Sequence, residues 1–218
     1  MKVLKPPQSG SAAGTTASRN RFGQYERTRA IPVNPSSGAQ GLARARMAAN
    51  SAAWRQLTSA QRAGWAGLGV SMVRSDSLGQ SYTLQGNQAY ASVNNNRLEC
   101  GLAVVADAPA LVTPPVITGI VLTLSNIAFS VAYTPTPMPA ATYLAVYASP
   151  QRSAGRNFEA DFRFMKISAA AAASPLAILA EYTARFGVPV VGNRIFISCV
   201  AISLGFQSGP FVFSQVVA

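Results

Sequence analysis

The sequence predicts an α+β protein in two parts: an extended basic N-terminal arm with a small helical hairpin module, and then an antiparallel β-sandwich. Basic residues crowd the start of the chain, and apolar residues recur at helical spacing between residues 39 and 98. Beyond residue 116, short β-branched and aromatic segments alternate with turn residues. These patterns indicate helices followed by strands. We expect four regions, at residues 1–34, 35–103, 104–115 and 116–218.

The first region, residues 1–34, is predicted to be an extended arm. It is rich in Ser, Gly, Ala, Thr and Arg and has little aliphatic bulk, so it cannot build a core and should order only when bound. Within the first 46 residues, eight basic residues face a single acidic one, Glu26. Such charge asymmetry indicates contact with nucleic acid or with an acidic protein surface. The candidate contact residues are Arg19, Arg21, Phe22, Tyr25, Arg27 and Arg29.

Three uses of this arm are open. Basic residues interleaved with aromatic ones can bind single-stranded nucleic acid by charge neutralisation and stacking. They can also thread between neighbouring protein subunits and pair with acidic grooves, or they can form a solubilising tail. Thirty-odd extended residues reach about 100 Å at ~3.3 Å each, which favours threading between proteins.

The second region, residues 35–103, is predicted to hold two to three helices. A helix should begin near Ala39, after serines that can cap it. Residues 58–61, "TSAQ", have the form of a capping box, so a second helix should begin at Ser59. A third is expected over Gly86 to Leu98. The residues assigned to packing of the hairpin are Trp54, Leu57, Thr58, Gln61 and Trp65.

The two tryptophans admit two interpretations. Trp and Arg are enriched at interface hot spots, so either ring could bind a partner. A helical pair this small needs large aromatic side chains for its core, which favours core packing for at least one of them.

Residues 104–115 contain three prolines without periodicity and predict a linker. Strands at roughly ten-residue intervals with turn signals then predict the sandwich. In "RIFISCVAIS", Ile195 and Cys199 should face one way and Phe196 and Ile202 the other. Cys199 is expected to be a buried free thiol. In "AAAAASPLAILAEY", the Ser174-Pro175 step should break any long helix and leave a loop or short helical turn before a strand.

The composition argues against an enzyme. The chain has no histidine, the commonest general base and metal ligand. Glu159 and Asp161 are the one close acidic pair, and the favoured interpretation is a solvated strand face paired with Arg156 and Arg163. We therefore expect no catalytic site, no cofactor and no metal. The start lacks a signal-peptide pattern, and no apolar stretch reaches bilayer length, so we expect no membrane partner.

The C-terminal region resembles a fibronectin type III or related immunoglobulin-like module. The resemblance rests on the order of "AFSVAY", "YLAVYASP" and "GNRIFISCVAISLGFQSGP". A tryptophan is usual in the second strand of that family, and Phe129 or Tyr133 stands in its place here. The resemblance implies a two-sheet antiparallel sandwich.

Residues 34–94 resemble small uncharacterised proteins encoded among the virion genes of tailed bacteriophages and prophages. The shared pattern is N-P-x-[ST]-x-x-Q, then W-x-x-L-[ST]-x-x-[QE]-R-x-x-W, then G-x-x-x-[FY]-x-x-x-N. It is matched here by Asn34, Pro35, Ser37, Gln40, Trp54, Leu57, Thr58, Gln61, Arg62, Trp65, Gly86, Tyr90 and Asn94.

The resemblance implies a non-enzymatic structural role in a virion assembled in the host cytoplasm. A capsid decoration or minor capsid protein is the first expectation, with capsid or tail subunits and copies of itself as partners. A tail, head–tail connector or baseplate component is the second. A nucleic-acid-binding protein that uses the basic arm is a third.

Overall fold

The computed structural model describes residues 9–20, 23–31, 36–76 and 78–218 as a mixed α+β chain with four helices and several antiparallel sheets within those ranges. The chain divides into two compact units between Ala43 and Arg44, inside the first helix. Each unit is described by itself below.

The first unit contains a three-stranded antiparallel sheet, here called the N-terminal sheet. Its strands are β1 (Gly10–Ala12), β2 (Thr15–Asn20) and β3 (Gly23–Thr28), in the order β1-β2-β3. The two-residue turn at Ala13 and Gly14 has φ values of +45° and +80°. Two positive φ values are typical of the type I′ turn, whose twist matches that of the flanking strands.

This sheet corrects the prediction of a structureless arm. The segment has strand-forming threonines and a turn glycine, and its backbone hydrogen bonds are made within the sheet. Because the chain doubles back twice, a reach of about 100 Å no longer follows for it. Arg21 and Phe22, which were predicted contact residues, lie outside the described residues.

Three helices and a small hairpin, together called the helical module, follow. Helix α1 spans Gly38–Gln56 and α2 spans Ser59–Ser71. Strands β4 (Val73–Ser75) and β5 (Ser81–Thr83) form the hairpin that leads to α3 (Gly86–Glu99). All three helices lie where the sequence predicts them. Their apolar cluster is centred on Trp65, Leu68, Met72, Ala89, Tyr90 and Val93.

Two further sheets form the C-terminal β region, residues 116–218. The first has the order β10-β7-β6, and the second has the order β12-β11-β8-β9 with β13 also paired to β11. Both are antiparallel throughout. The strands are β6 (Gly119–Leu124), β7 (Phe129–Thr134), β8 (Thr142–Ala148), β9 (Arg163–Ile167), β10 (Leu176–Ala177), β11 (Arg194–Ser203), β12 (Phe206–Gln207) and β13 (Phe211–Val216).

Side chains from both sheets share one apolar cluster. Alternate residues of β6 and β7 are buried, as expected for strands with one face on a core. Ile195 and Cys199 of β11 belong to this cluster, which confirms their predicted common face, and Ile197 and Ala201 of the same strand belong to it as well. Cys199 is a free thiol, and burial raises its pKa to about 12.

Helix α4 (Leu179–Phe186) follows β10 and closes one side of this core. The predicted loop before a strand is confirmed, because the alanine run and the Ser174-Pro175 step are not helical and lead into β10. The sequence did not predict α4 after that strand. Tyr182 is fully buried, packs against Phe129 and Phe186, and donates its hydroxyl to the Ser149 carbonyl at 3.2 Å. It therefore joins the helix to both sheets.

Candidate interaction site

The N-terminal sheet carries four of the predicted contact residues on two different faces. Residues opposite each other in an antiparallel pair share a face. The register pairs Arg27 with Thr16 and Tyr25 with Ser18. The Arg29 amide donates to the Gly14 carbonyl at 2.7 Å, so strand alternation continues through Arg29 on the same face.

The opposite face of this sheet has mixed charge. Arg19 lies opposite Gln24, and Ala17 lies opposite Glu26. Arg19 and Glu26 therefore share this face, whereas the other face carries Arg27 and Arg29. The predicted set Arg19, Tyr25, Arg27 and Arg29 is thus not one cluster, because the pleat separates Arg19 from the rest.

No side chain of the N-terminal sheet is buried among those that the structure describes. Tyr25 is 41% exposed, and Arg27 and Arg29 are exposed. A small sheet in water needs an apolar face or another element packed on it to be stable. The side chains that the structure describes in this sheet do not supply such a buried apolar face.

The hairpin residues of the helical module form a packed aromatic centre. Trp65 is fully buried and its ring lies 5.1 Å from that of Tyr90, edge to face. Trp54 is half-buried and contacts the other side of Tyr90, with ring centroids 5.5 Å apart. The Trp65 indole N–H donates to the Ala106 carbonyl at 2.7 Å. Leu57 packs against the same cluster.

Thr58 and Gln61 form the capping box at the start of α2. The Gln61 amide donates to the Thr58 hydroxyl at 3.2 Å, and the Thr58 amide donates to Gln61 Oε1 at 3.0 Å. Gln61 Nε2 also donates to Asp107 at 3.1 Å, so the box is tied to the proline-rich segment.

Three consecutive asparagines on α3 reach three different segments. Asn94 bonds both backbone groups of Val105, at 2.9 and 3.2 Å. Asn95 accepts from Asn50 of α1 at 2.7 Å. Asn96 donates to the Gly205 carbonyl at 2.7 Å. The run weakens the helical signal in the sequence. In the fold, its three side chains join α3 to three segments that are distant in sequence.

Segment 204–207 of the β region packs against α3. Phe206 belongs to the apolar cluster of the helical module, and Gln207 donates to Asn96 at 2.9 Å. A Cβ atom at Gly205 would lie 2.7 Å from both Cγ1 and the carbonyl oxygen of Val93. Only glycine fits this contact, which joins the helical module to the β region.

A groove of about 650 Å³ lies between α1 and α3, lined mainly by amide, aromatic and small side chains. It includes Met47, Trp54, Tyr90 and Asn95. Its polar groups offer both hydrogen-bond donors and acceptors.

Glu159 has a carboxyl group whose pKa lies well below its ordinary value, and its contacts explain why. It is 5% exposed and accepts from the amides of Ala160 and Asp161 at 2.9 and 3.0 Å and from Arg152 Nε. The Asp161 amide, and then Arg152, lower the pKa of Glu159 to about 2. The Arg156 Nε atom also lies 3.5 Å from Glu159 Oε2.

These contacts correct the predicted strand face. Residues 158–162 precede β9, which begins at Arg163, and Glu159 is buried rather than solvated. Asp161 does pair with Arg163, at 2.8 Å, and both side chains are exposed. Glu159 and Asp161 therefore have different roles. Glu159 is a buried hydrogen-bond acceptor within its loop, and Asp161 forms an ion pair on the surface.

No helix within the described ranges is long and apolar enough to cross a membrane. Among the same residues, no group of three or more His, Cys, Asp or Glu side chains is placed to hold a metal ion. No family model matches the sequence, and no curated protein matches it.

Proposed function

We propose that the chain is a non-enzymatic structural component of a tailed-bacteriophage particle, with a capsid decoration or minor capsid protein as the first form of this role. The N-terminal sheet and the helical module anchor it to the particle, and the β region projects or contacts neighbouring subunits. The resemblance of residues 34–94 to proteins encoded among bacteriophage virion genes supports a structural role in a particle.

The observation that carries the proposal is the N-terminal sheet with no buried side chain among its described residues. A free monomer gains little from such a sheet, because the backbone loses entropy and no apolar surface is removed from water in return. Contact with a particle would supply that missing surface.

The strand order of the β region supports a fibronectin type III-like sandwich as its fold. One sheet holds the first, second and fifth strands of the region, and the other holds the third, fourth and last three, of which β12 has only two residues. Apart from the short β12, the two sheets in that family have the same division of strands. Such sandwiches serve as spacers and contact modules in many extracellular and surface proteins.

A tail, head–tail connector or baseplate component is the second form of the same role. It would use the same anchor, and the fold does not favour one location over the other. A nucleic-acid-binding protein remains the alternative of a different class, and the cationic face of Arg27 and Arg29 favours it.

The direct test is quantitative mass spectrometry of particles purified from the phage or prophage that encodes the chain. The proposal predicts its peptides at a fixed copy number per particle. A variant gene that lacks residues 9–31 should give particles with at least tenfold less of the chain, while Asp161→Asn, an exposed change in the β region, should not. Absence of the chain from wild-type particles would contradict the proposal.

A further inference from the structure

One face of the N-terminal sheet differs in chemistry from the other. Its described side chains are Ser11, Thr16, Ser18, Tyr25 and Arg27, with Arg29 directly after β3. The 2.8 Å contact between the Ser11 and Thr16 hydroxyls shows that β1 contributes to this face. We call it the hydroxyl–arginine face.

Every side-chain type on the hydroxyl–arginine face is one that contacts nucleic-acid phosphates. Arg, Ser, Thr and Tyr are all among the side chains that donate hydrogen bonds to phosphate oxygens in protein–DNA complexes. Among the described residues, the ion pairs of the chain do not involve Arg27 or Arg29. The face therefore presents two guanidinium groups and several hydroxyls to solvent and no carboxylate.

The spacing of the arginines suits a chain of phosphates. Arg27 and Arg29 are two residues apart on one face, which separates their Cα atoms by about 6.8 Å. Two such groups can contact two different phosphates at once, and each contact releases a condensed counterion.

The same features argue against two other uses of this face, which are a long arm threaded between subunits and a stacking platform for single strands. Threading between protein subunits required an extended arm of about 100 Å. The described part of this segment is instead folded into antiparallel strands, which shortens its reach. A platform for single strands stacks successive bases on several aromatic rings. The described residues of this face offer one ring, Tyr25, beside hydroxyl groups.

We propose that the hydroxyl–arginine face binds the sugar–phosphate backbone of duplex DNA without sequence specificity. The opposite face, with Arg19 and Glu26, takes no part. This inference is independent of the particle role, because it concerns the ligand of one face and not where the chain is assembled.

The test is fluorescence anisotropy of the full-length protein with a labelled 20-base-pair duplex between 50 and 200 mM salt. Arg27→Gln should weaken binding. It should also make the negative slope of log association constant against log salt concentration shallower by about 0.9, the value for one phosphate contact. Arg19→Gln removes the same charge from the opposite face and is the matched control, which should leave the slope within error of the wild type.

Two further arms test the position and the ligand. Arg27→Lys keeps the charge at this position and should keep the slope, so a replaced side chain at position 27 is not by itself the cause of a loss in Arg27→Gln. Poly-L-glutamate should not compete at equal charge concentration if the ligand is the phosphate backbone.

Three results would each overturn the proposal. They are equal effects of Arg19→Gln and Arg27→Gln, tighter binding to a 20-nucleotide single strand than to the duplex, and competition by poly-L-glutamate as strong as by unlabelled duplex. Particle incorporation is measured separately, so a failure here would leave that result standing.

Discussion

At the residue scale, the Glu159 carboxylate is the clearest case of burial that is offset by specific partners. A buried charge is costly unless it is paired and hydrogen-bonded. Two backbone amides and Arg152 supply those bonds, and the next residue back, Phe158, is 75% exposed. The carboxylate thereby fixes a loop that presents an aromatic ring to solvent.

The first prediction concerns Glu159→Gln and pH. The folded-state pKa of about 2 lies below the ordinary value of 4.5, so the charged carboxylate stabilises the fold above that value. This contribution is lost as the pH falls from about 4.5 towards 2. Glu159→Gln should therefore be less stable than the wild type at pH 7, and the difference should shrink at pH 3.

Urea unfolding midpoints at both pH values measure this difference. Asp161→Asn is the control, since its pair with Arg163 is exposed and contributes little. A Glu159→Gln deficit that stayed constant from pH 7 to pH 3 would show that the carboxylate charge is not what braces the loop.

At the element scale, α3 and the segment after β11 form the joint between the helical module and the β region. Asn96 bonds Gly205, Phe206 enters the helical cluster, and Val93 leaves no room for a side chain at Gly205. The two parts are thus linked by packing as well as by the chain, and the proline-rich segment is held by Trp65 and Asn94.

The second prediction is a matched pair of glycine substitutions. Gly205 has φ of +98° and a crowded Cβ position, whereas Gly192 has φ of +86° and open space. Gly205→Ala should lower the free energy of unfolding by about 3 kcal/mol, from backbone strain plus overpacking. Gly192→Ala should cost about 1 kcal/mol, from strain alone. Denaturant unfolding of both variants measures the difference, and equal losses would refute a tight contact at Val93.

Most of the elements could be predicted from local patterns. The capping box at Thr58, the helix over Gly86 to Leu98 and the alternation in β11 are short-range signals that the structure bears out. Partnerships between distant segments could not be predicted in the same way. Asparagine is a poor helix former, so residues 94–96 weaken the helical signal. Their partners Val105 and Gly205 are distant in sequence, so these contacts could not be predicted from local pattern.

The N-terminal segment shows the limit of composition as a guide. Few aliphatic residues predicted an extended arm, but threonines and the turn at Gly14 give a sheet in which no described side chain is buried. Its arginines were predicted as one contact set, and only the strand register separates Arg19 from Tyr25 and Arg27.

At the scale of the whole molecule, basic residues are concentrated at the start of the chain, and the apolar clusters lie further along it. The net charge is +11, and eight of the 18 basic residues lie within the first 46 positions. The helical module and the β region have their own apolar clusters, whereas the N-terminal sheet has no buried side chain in the part that is described. Apolar clusters are therefore present within residues 44–218, whereas the described side chains of the N-terminal sheet form none.

The most direct measurement of the central claim is a density map of the intact particle with the chain in place. The particle role predicts that residues 10–28 are ordered as three strands against a neighbouring particle component, at a defined site and copy number. A purified chain that stayed a stable monomer without affinity for particles, and a map without density for it, would contradict that role.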